Sequence, residues 1–247
     1  MDSMVQFQLP FSDSQFYPTH PDGFLSDNPD ALIAGVDEVG RGSLFGPVVA
    51  AAIAVPLSSL SELIALGVKD SKQLSFAKRQ TLFPLIKNQV VAWHISYATI
   101  AEIEALNIRQ ASLLAMKRCL QKLSISPQHC LIDGRDRIPD LDLPQTALIR
   151  GDQISPAIAA ASILAKVWRD ELILRIAPRY PEYDLARNKG YGTQKHRTAL
   201  QKYGLTPLHR PSFCRKIMLN ADSFIKPPKS PNSGGLDDIK IVKNRLS

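Results

Sequence analysis

A short apolar run, residues 31–36 (Ala-Leu-Ile-Ala-Gly-Val), ends without transition in Asp37 and Glu38 and then in the turn Gly40-Arg41-Gly42. This is the feature that most constrains the chain. A run of this length and composition is a buried strand, and two adjacent carboxylates at its tip cost several kcal/mol unless cations or donors compensate them. The dipeptide alone fits an exposed acidic turn equally well. Recurrence favours a site: Cys130-Leu131-Ile132 runs into Asp133-Gly134, and Ala147-Leu148-Ile149-Arg150 runs into Gly151-Asp152. Three apolar strands ending in acid imply an open α/β sheet, whose ligands sit at the carboxyl ends of its strands. Carboxylates without His or Cys among them are hard oxygen donors and indicate Mg2+ or Mn2+.

The rest of the pattern surrounds those strands with helices. Residues 48–55 are nearly all apolar after Gly46-Pro47 and are expected to pair with the first strand as a hairpin neighbour. Ser75 caps a helix reaching about Lys87, and 91–97 returns as a strand. Thr99 and Glu102 have capping-box spacing, and Asn107 opens a second helix with Leu113, Met116, Leu120 and Leu123 on its core stripe. Ser155-Pro156 starts a long helix to Pro178, in which Ala159, Ala160 and Ala161 allow close approach to the sheet. After a polar loop over 182–193, a basic helix over 194–203 stops at Gly204.

Composition bounds the function. With 247 residues, 45% of them hydrophobic, the chain is sized for one α/β core with extensions. A net charge of +7 favours a polyanionic partner. Cys119, Cys130 and Cys214 have no metal-binding spacing and read as reduced core residues. The longest apolar run, 47–56, is about half of what a bilayer needs, and Asp2 stands where a signal peptide would be basic, so a cytoplasmic protein without membrane contact is expected. Residues 1–30 read as an irregular arm, 31–225 as the folded domain, and 226–247, with five basic and two acidic residues, as a flexible basic tail.

Five ordered motifs resemble ribonuclease HII, the bacterial type 2 ribonuclease H: Asp-Glu-Val-Gly-Arg-Gly (37–42), Asp-Ser-Lys-Gln-Leu-Ser (70–75), Ile-Asp-Gly (132–134), Ala-Ala-Ser-Ile-Leu-Ala-Lys-Val (160–167) and Lys-Gly-Tyr-Gly-Thr (189–193). The resemblance spans about residues 32–213 and is specific because the order is kept. It implies a ribonuclease H-like α/β fold: a mixed central sheet, flanking helices and a C-terminal helical extension. It also implies an endoribonuclease, acting as a monomer, that cuts the RNA strand of RNA:DNA hybrids and the 5' side of ribonucleotides in duplex DNA, leaving 3'-hydroxyl and 5'-phosphate ends.

Four carboxylates can hold two divalent ions for in-line phosphoryl displacement. Asp37 and Asp133 stand directly at strand ends. Glu38 alternates to the opposite face, so either the backbone bends there or its main-chain carbonyl contributes. The resemblance places the fourth acid at Asp152, and Asp170, with Lys166 four residues before it, reads as half of a surface ion pair. Gly40, Arg41 and Gly42 resemble the family's ribose-reading loop, which contacts the 2'-hydroxyl, and Tyr191 its sugar-packing tyrosine. Lys72, Lys189, Lys195, His196, Arg197 and Lys202 offer a basic surface for phosphates, while Arg210 and Ser212 read as structural or backbone contacts. Two alternatives remain: a type 3 ribonuclease H, disfavoured by the short N-terminal arm, and a non-catalytic basic nucleic-acid-binding module, which would not need the acids.

Overall fold

The computed structural model describes residues 28–219. Five strands form one sheet: β1 (Leu32–Val39), β2 (Val48–Pro56), β3 (Ala92–Ala98), β4 (His129–Asp133) and β5 (Gln145–Leu148), in the order β3-β2-β1-β4-β5. β2 is antiparallel to both β1 and β3, and β4 and β5 are parallel to β1. The carboxyl ends of four strands therefore share one edge, and β2 alone runs the other way. The expected hairpin of the first two strands is present, with Val36 opposite Ala52 and Val39 opposite Val49.

Strand alternation splits the core into two layers. Ile33, Ala51, Ile53 and Leu131 face α5 (Pro156–Ile176), whereas Ala34, Val36, Ala50, Ala52 and Ile132 face α3 (Ile100–Gln121). α5 lies against β1 backbone to backbone: a Cβ on Gly35 would stand 2.3 Å from the carbonyl carbon of Ala157. Ser155 caps this helix by accepting from the Ile158 N–H, and Pro156 follows at its first turn, as the spacing predicts.

α3 is two helices in one. Thr99 and Glu102 close the predicted capping box, and Asn107 interrupts the helix at φ 67° and ψ 162°. Its side chain accepts from the N–H groups of Arg109 and Gln110, so Asn107 caps the second segment as its spacing indicates. The break lets Arg118 return to Glu102 at 2.6 Å. α1 (Leu60–Ala65) and α2 (Phe76–Gln89) border the α5 face, and Ser75 caps α2.

One strand boundary needs correction. β5 ends at Leu148, two residues before the sequence pattern stops, because Ile149 is 60% exposed and Arg150 turns left-handed at φ 58° to start α4 (Gly151–Ile154). Beyond the sheet, α6 (Leu185–Asn188), α7 (Gln194–Tyr203) and α8 (Pro211–Met218) form the C-terminal layer. The three cysteines are buried free thiols, and burial pushes Cys214 up to about 11. Among the described residues no helix is long and apolar enough to cross a membrane.

Candidate active site

An open cleft of about 270 Å³ lies at the shared carboxyl edge, lined by Asp37, Glu38 and Asp133, by residues 39–42, and by Ser71, Lys72, Ser162, Lys166 and Tyr191. Residues from five separate motifs thus meet at one place. Asp37 and Asp133 follow Ile33 and Leu131 in strand parity, so both face α5. Asp133 Oδ1 accepts the Gly151 N–H at 2.7 Å, and the Ser162 hydroxyl donates to Asp37. Burial first, then the charges of Glu38 and Asp133, raise the Asp37 carboxyl well above the usual carboxylate range. Asp133 is raised by burial and by Asp152.

Glu38 takes the opposite face. β1 stays paired through Val39, so no bend brings the Glu38 side chain round, and its Oε1 lies 3.1 Å from Arg41. Burial raises Glu38 and Arg41 partly offsets the effect. Asp152 is buried behind the cleft, its Oδ2 3.1 Å from Lys72 Nζ. Although partial burial opposes it, this contact raises the Lys72 ammonium above its ordinary value. The acids do not form a closed cage: among the described residues no three His, Cys, Asp or Glu side chains converge in a geometry that holds an ion. Their chemistry nevertheless fits a divalent cation. They are desolvated oxygen donors: burial raises all three strand-end acids, and Arg41 offsets it only in part at Glu38.

The glycine turn is held from below by two buried arginines with carbonyl and hydroxyl partners. Arg169 donates to Ser43 Oγ at 2.7 Å, Phe45 O at 3.0 Å and Lys189 O at 2.9 Å. Arg210 donates to Arg41 O at 2.8 Å and Gly46 O at 2.9 Å, in keeping with the backbone role read from its motif. Gly40, at φ 89°, must be glycine, since a Cβ there would meet Arg169 Nε at 2.2 Å. Gly42 differs: a Cβ there would meet nothing within 4 Å. Tyr191 lines the same side, with Lys166 Nζ 5.7 Å and Arg169 Cζ 5.5 Å from its ring centre.

The family model described as Ribonuclease HII matches residues 34–216. The chain belongs to the ribonuclease HII family. It is 59% identical over 190 residues to Ribonuclease HII of Synechocystis sp., covering 77% of this chain and all of that one, and 59% identical over 184 residues to Ribonuclease HII of Microcystis aeruginosa, covering 74% and 88%. The structure of ribonuclease H2 from Pyrococcus horikoshii is similar with a TM-score of 0.67 and 26% identity, over 76% of this chain and 97% of that one. The protein is a metal-dependent endoribonuclease acting on RNA:DNA hybrids.

Two expectations from the sequence fail. His196 is fully buried and takes no part in the basic surface, because its position on α7 points inward at Tyr183 and His209. Asp170 is buried too, 2.7 Å from Lys166, so this pair is internal and holds a cleft lysine in place. Lys195 pairs with Asp184 at 3.2 Å, and Lys189 donates to Ala186 O. Ser162, Lys166, Arg169 and Ser71 were not predicted as site residues. The signal was available: Ser162, Lys166 and Arg169 are polar at i, i+4 and i+7 in a stretch of α5, residues 156–169, that is otherwise apolar, a stripe that must meet something polar.

Proposed function

We propose that this protein cleaves the RNA strand of RNA:DNA hybrids and the 5' side of single ribonucleotides in duplex DNA, by hydrolysis leaving 3'-hydroxyl and 5'-phosphate ends. The observation that carries this reading is the meeting of Asp37, Glu38 and Asp133 with residues 40–42 and Tyr191 in one cleft. Asp37, Glu38, Asp133 and Asp152 would hold two divalent ions, Mg2+ or Mn2+, with Glu38 contributing through its main-chain carbonyl. Such ions activate water and stabilise the departing oxygen of a phosphodiester.

The chain's own residues supply position. Gly151 N–H and the Ser162 hydroxyl fix the two strand-end carboxylates. Lys72 and Lys166 offer cations for the phosphates flanking the cut. Gly42 has open space where a side chain would be, which supports close approach of a sugar to the turn, and Tyr191 packs opposite. Together they read the 2'-hydroxyl that separates ribose from deoxyribose. The enzyme acts as a monomer, with 31–225 as its catalytic domain; the proposed arm over 1–30 lies almost wholly, and the tail over 226–247 wholly, outside the described residues.

One assay tests the reading: a duplex bearing a single ribonucleotide, incubated with Mg2+, Mn2+ or chelator, with products mapped to the nucleotide. Cleavage 5' to the ribonucleotide, requiring a metal and lost when the 2'-hydroxyl becomes hydrogen, is the expected result. Equal cutting of the all-DNA duplex overturns it.

A further inference from the structure

Beneath Tyr191 lies a buried hydrogen-bonded chain that the family motifs leave without a role. The Thr206 N–H donates to His209 Nδ1 at 3.0 Å, and the Thr206 hydroxyl lies 2.8 Å from the same nitrogen. His209 Nε2 and His196 Nε2 are 3.0 Å apart. His196 Nδ1 is 3.0 Å from the Tyr191 carbonyl oxygen. The ends of this chain dictate its protons. A backbone N–H can only donate, so His209 Nδ1 is an acceptor and its proton sits on Nε2. That proton points at His196 Nε2, which must then accept, leaving the His196 proton on Nδ1. There it meets a carbonyl, which can only accept. The only assignment that satisfies every atom is two neutral imidazoles of opposite tautomer.

We propose that His196 and His209 are positioning residues: a neutral, one-directional relay that holds the Tyr191 backbone and so sets its ring against the ribose side of the cleft. This rests on the reading of Tyr191 as a sugar contact. The relay adds a buried side-chain link between three pieces of chain: the Tyr191 turn, whose carbonyl also accepts the Thr193 N–H, α7 through His196, and the loop before α8 through His209. A proton added to either ring sets N–H against N–H, at Thr206 for His209 or between the rings for His196, and the chain breaks.

The surroundings keep both rings neutral. Phe45 packs edge-on against His209 at 4.9 Å, and the Tyr183 ring is 4.8 Å from His209 and 6.0 Å from His196. The Tyr183 hydroxyl donates to Gly204 O at 2.9 Å and so does not compete for the relay. Asp184, the one acid whose charge favours a protonated His196, is engaged with Lys195, and Arg210, next in the chain to His209, adds a cation nearby. Burial, then the neighbouring His196, hold His209 down to about 3, and burial lowers His196 as well.

The test combines a spectroscopic signature with kinetics. Nitrogen-15 spectra of histidine-labelled full-length protein should show His209 protonated on Nε2 and His196 on Nδ1, both neutral from about pH 8 to about pH 5. An imidazolium at either position at about pH 6, or the reverse tautomers, overturns the relay. His196→Gln can still donate to Tyr191 and accept from His209, so on a single-ribonucleotide duplex it should keep kcat within about threefold, whereas His196→Leu should lose about tenfold in kcat with KM nearly unchanged. In a Tyr191→Ala background, His196→Leu should cause no further loss; independent, multiplying losses mean that His196 does not act through Tyr191. Wild-type kcat in Tyr191→Ala overturns the reading of the tyrosine itself. Wild-type kcat in His196→Leu beside a crippled Tyr191→Ala overturns only the relay. If the leucine variant fails to fold, the glutamine variant and the tautomers still decide.

Discussion

The two sides of the cleft are built on opposite electrostatic terms. On the carboxylate side, Asp37, Glu38 and Asp133 are raised in pKa, first of all by burial, and of the three only Glu38 has a cation beside it, Arg41. On the ribose side, Arg169, Arg210, His196 and His209 are more deeply buried and donate to carbonyls, to Ser43 and to each other, although the Arg210 Nη2 has no partner. On the proposed reading, the first side is the one that a divalent cation completes. The second is finished in advance and offers a shaped wall. Discrimination between sugars needs the rigid wall, because a 2'-hydroxyl is read by position, while the chemistry needs the unmet charge.

The largest expected effect breaks the carboxylate side. Asp133→Asn keeps size and polarity but removes an anionic ligand, so cleavage should fall on the order of a thousandfold, about 4 kcal/mol of barrier, while hybrid binding measured in chelator changes little. Activity near wild type in Mg2+ would remove Asp133 from the ligand set.

Next comes the contrast between the two glycines of the turn. Gly40→Ala forces a side chain into Arg169 Nε at φ 89° and should lower stability by about 2–3 kcal/mol, read as a shifted urea midpoint. Gly42→Ala should leave the midpoint within about 0.5 kcal/mol yet weaken selection of ribonucleotide over deoxynucleotide. If both variants unfold alike, the open space at Gly42 has nothing to do with substrate.

A smaller effect separates the two remaining acids. Asp152→Asn should resemble Asp133→Asn, whereas Asp170→Asn loosens only Lys166 and should cost less than about tenfold in kcat. Reversed phenotypes would reassign the fourth ligand. Smallest of all, removing 226–247 should leave kcat intact and flatten the salt dependence of binding modestly, since five basic and two acidic residues leave with it.

What was legible in the sequence follows the same division. Asp37 and Asp133 could be read because strand and acid are adjacent in the chain, and the helix caps at Ser75, Thr99, Asn107 and Ser155 because capping is a local event. Tertiary context decided the rest. Ile149 looks like strand yet faces solvent, so the third acid-tipped strand ends early. His196 sits among Lys195, Arg197 and Lys202, and composition alone assigned it their exposed role; only the packing of Tyr183 and His209 shows it turned inward. The place of Arg169 is not legible in the sequence because buried arginine is rare, and its partners, backbone carbonyls and the Ser43 hydroxyl, are far off in the chain.

Arg210 fastens the Arg41 carbonyl across 169 residues of chain. Strands β1 and β2 can pair early in synthesis, but Arg210 cannot lock the Gly40-Arg41-Gly42 turn until nearly all of the described chain has left the ribosome. Contacts of such long sequence separation form late. The hold of Arg210 on the Gly40-Arg41-Gly42 turn is therefore one of the last contacts that a chain emerging from the ribosome can complete.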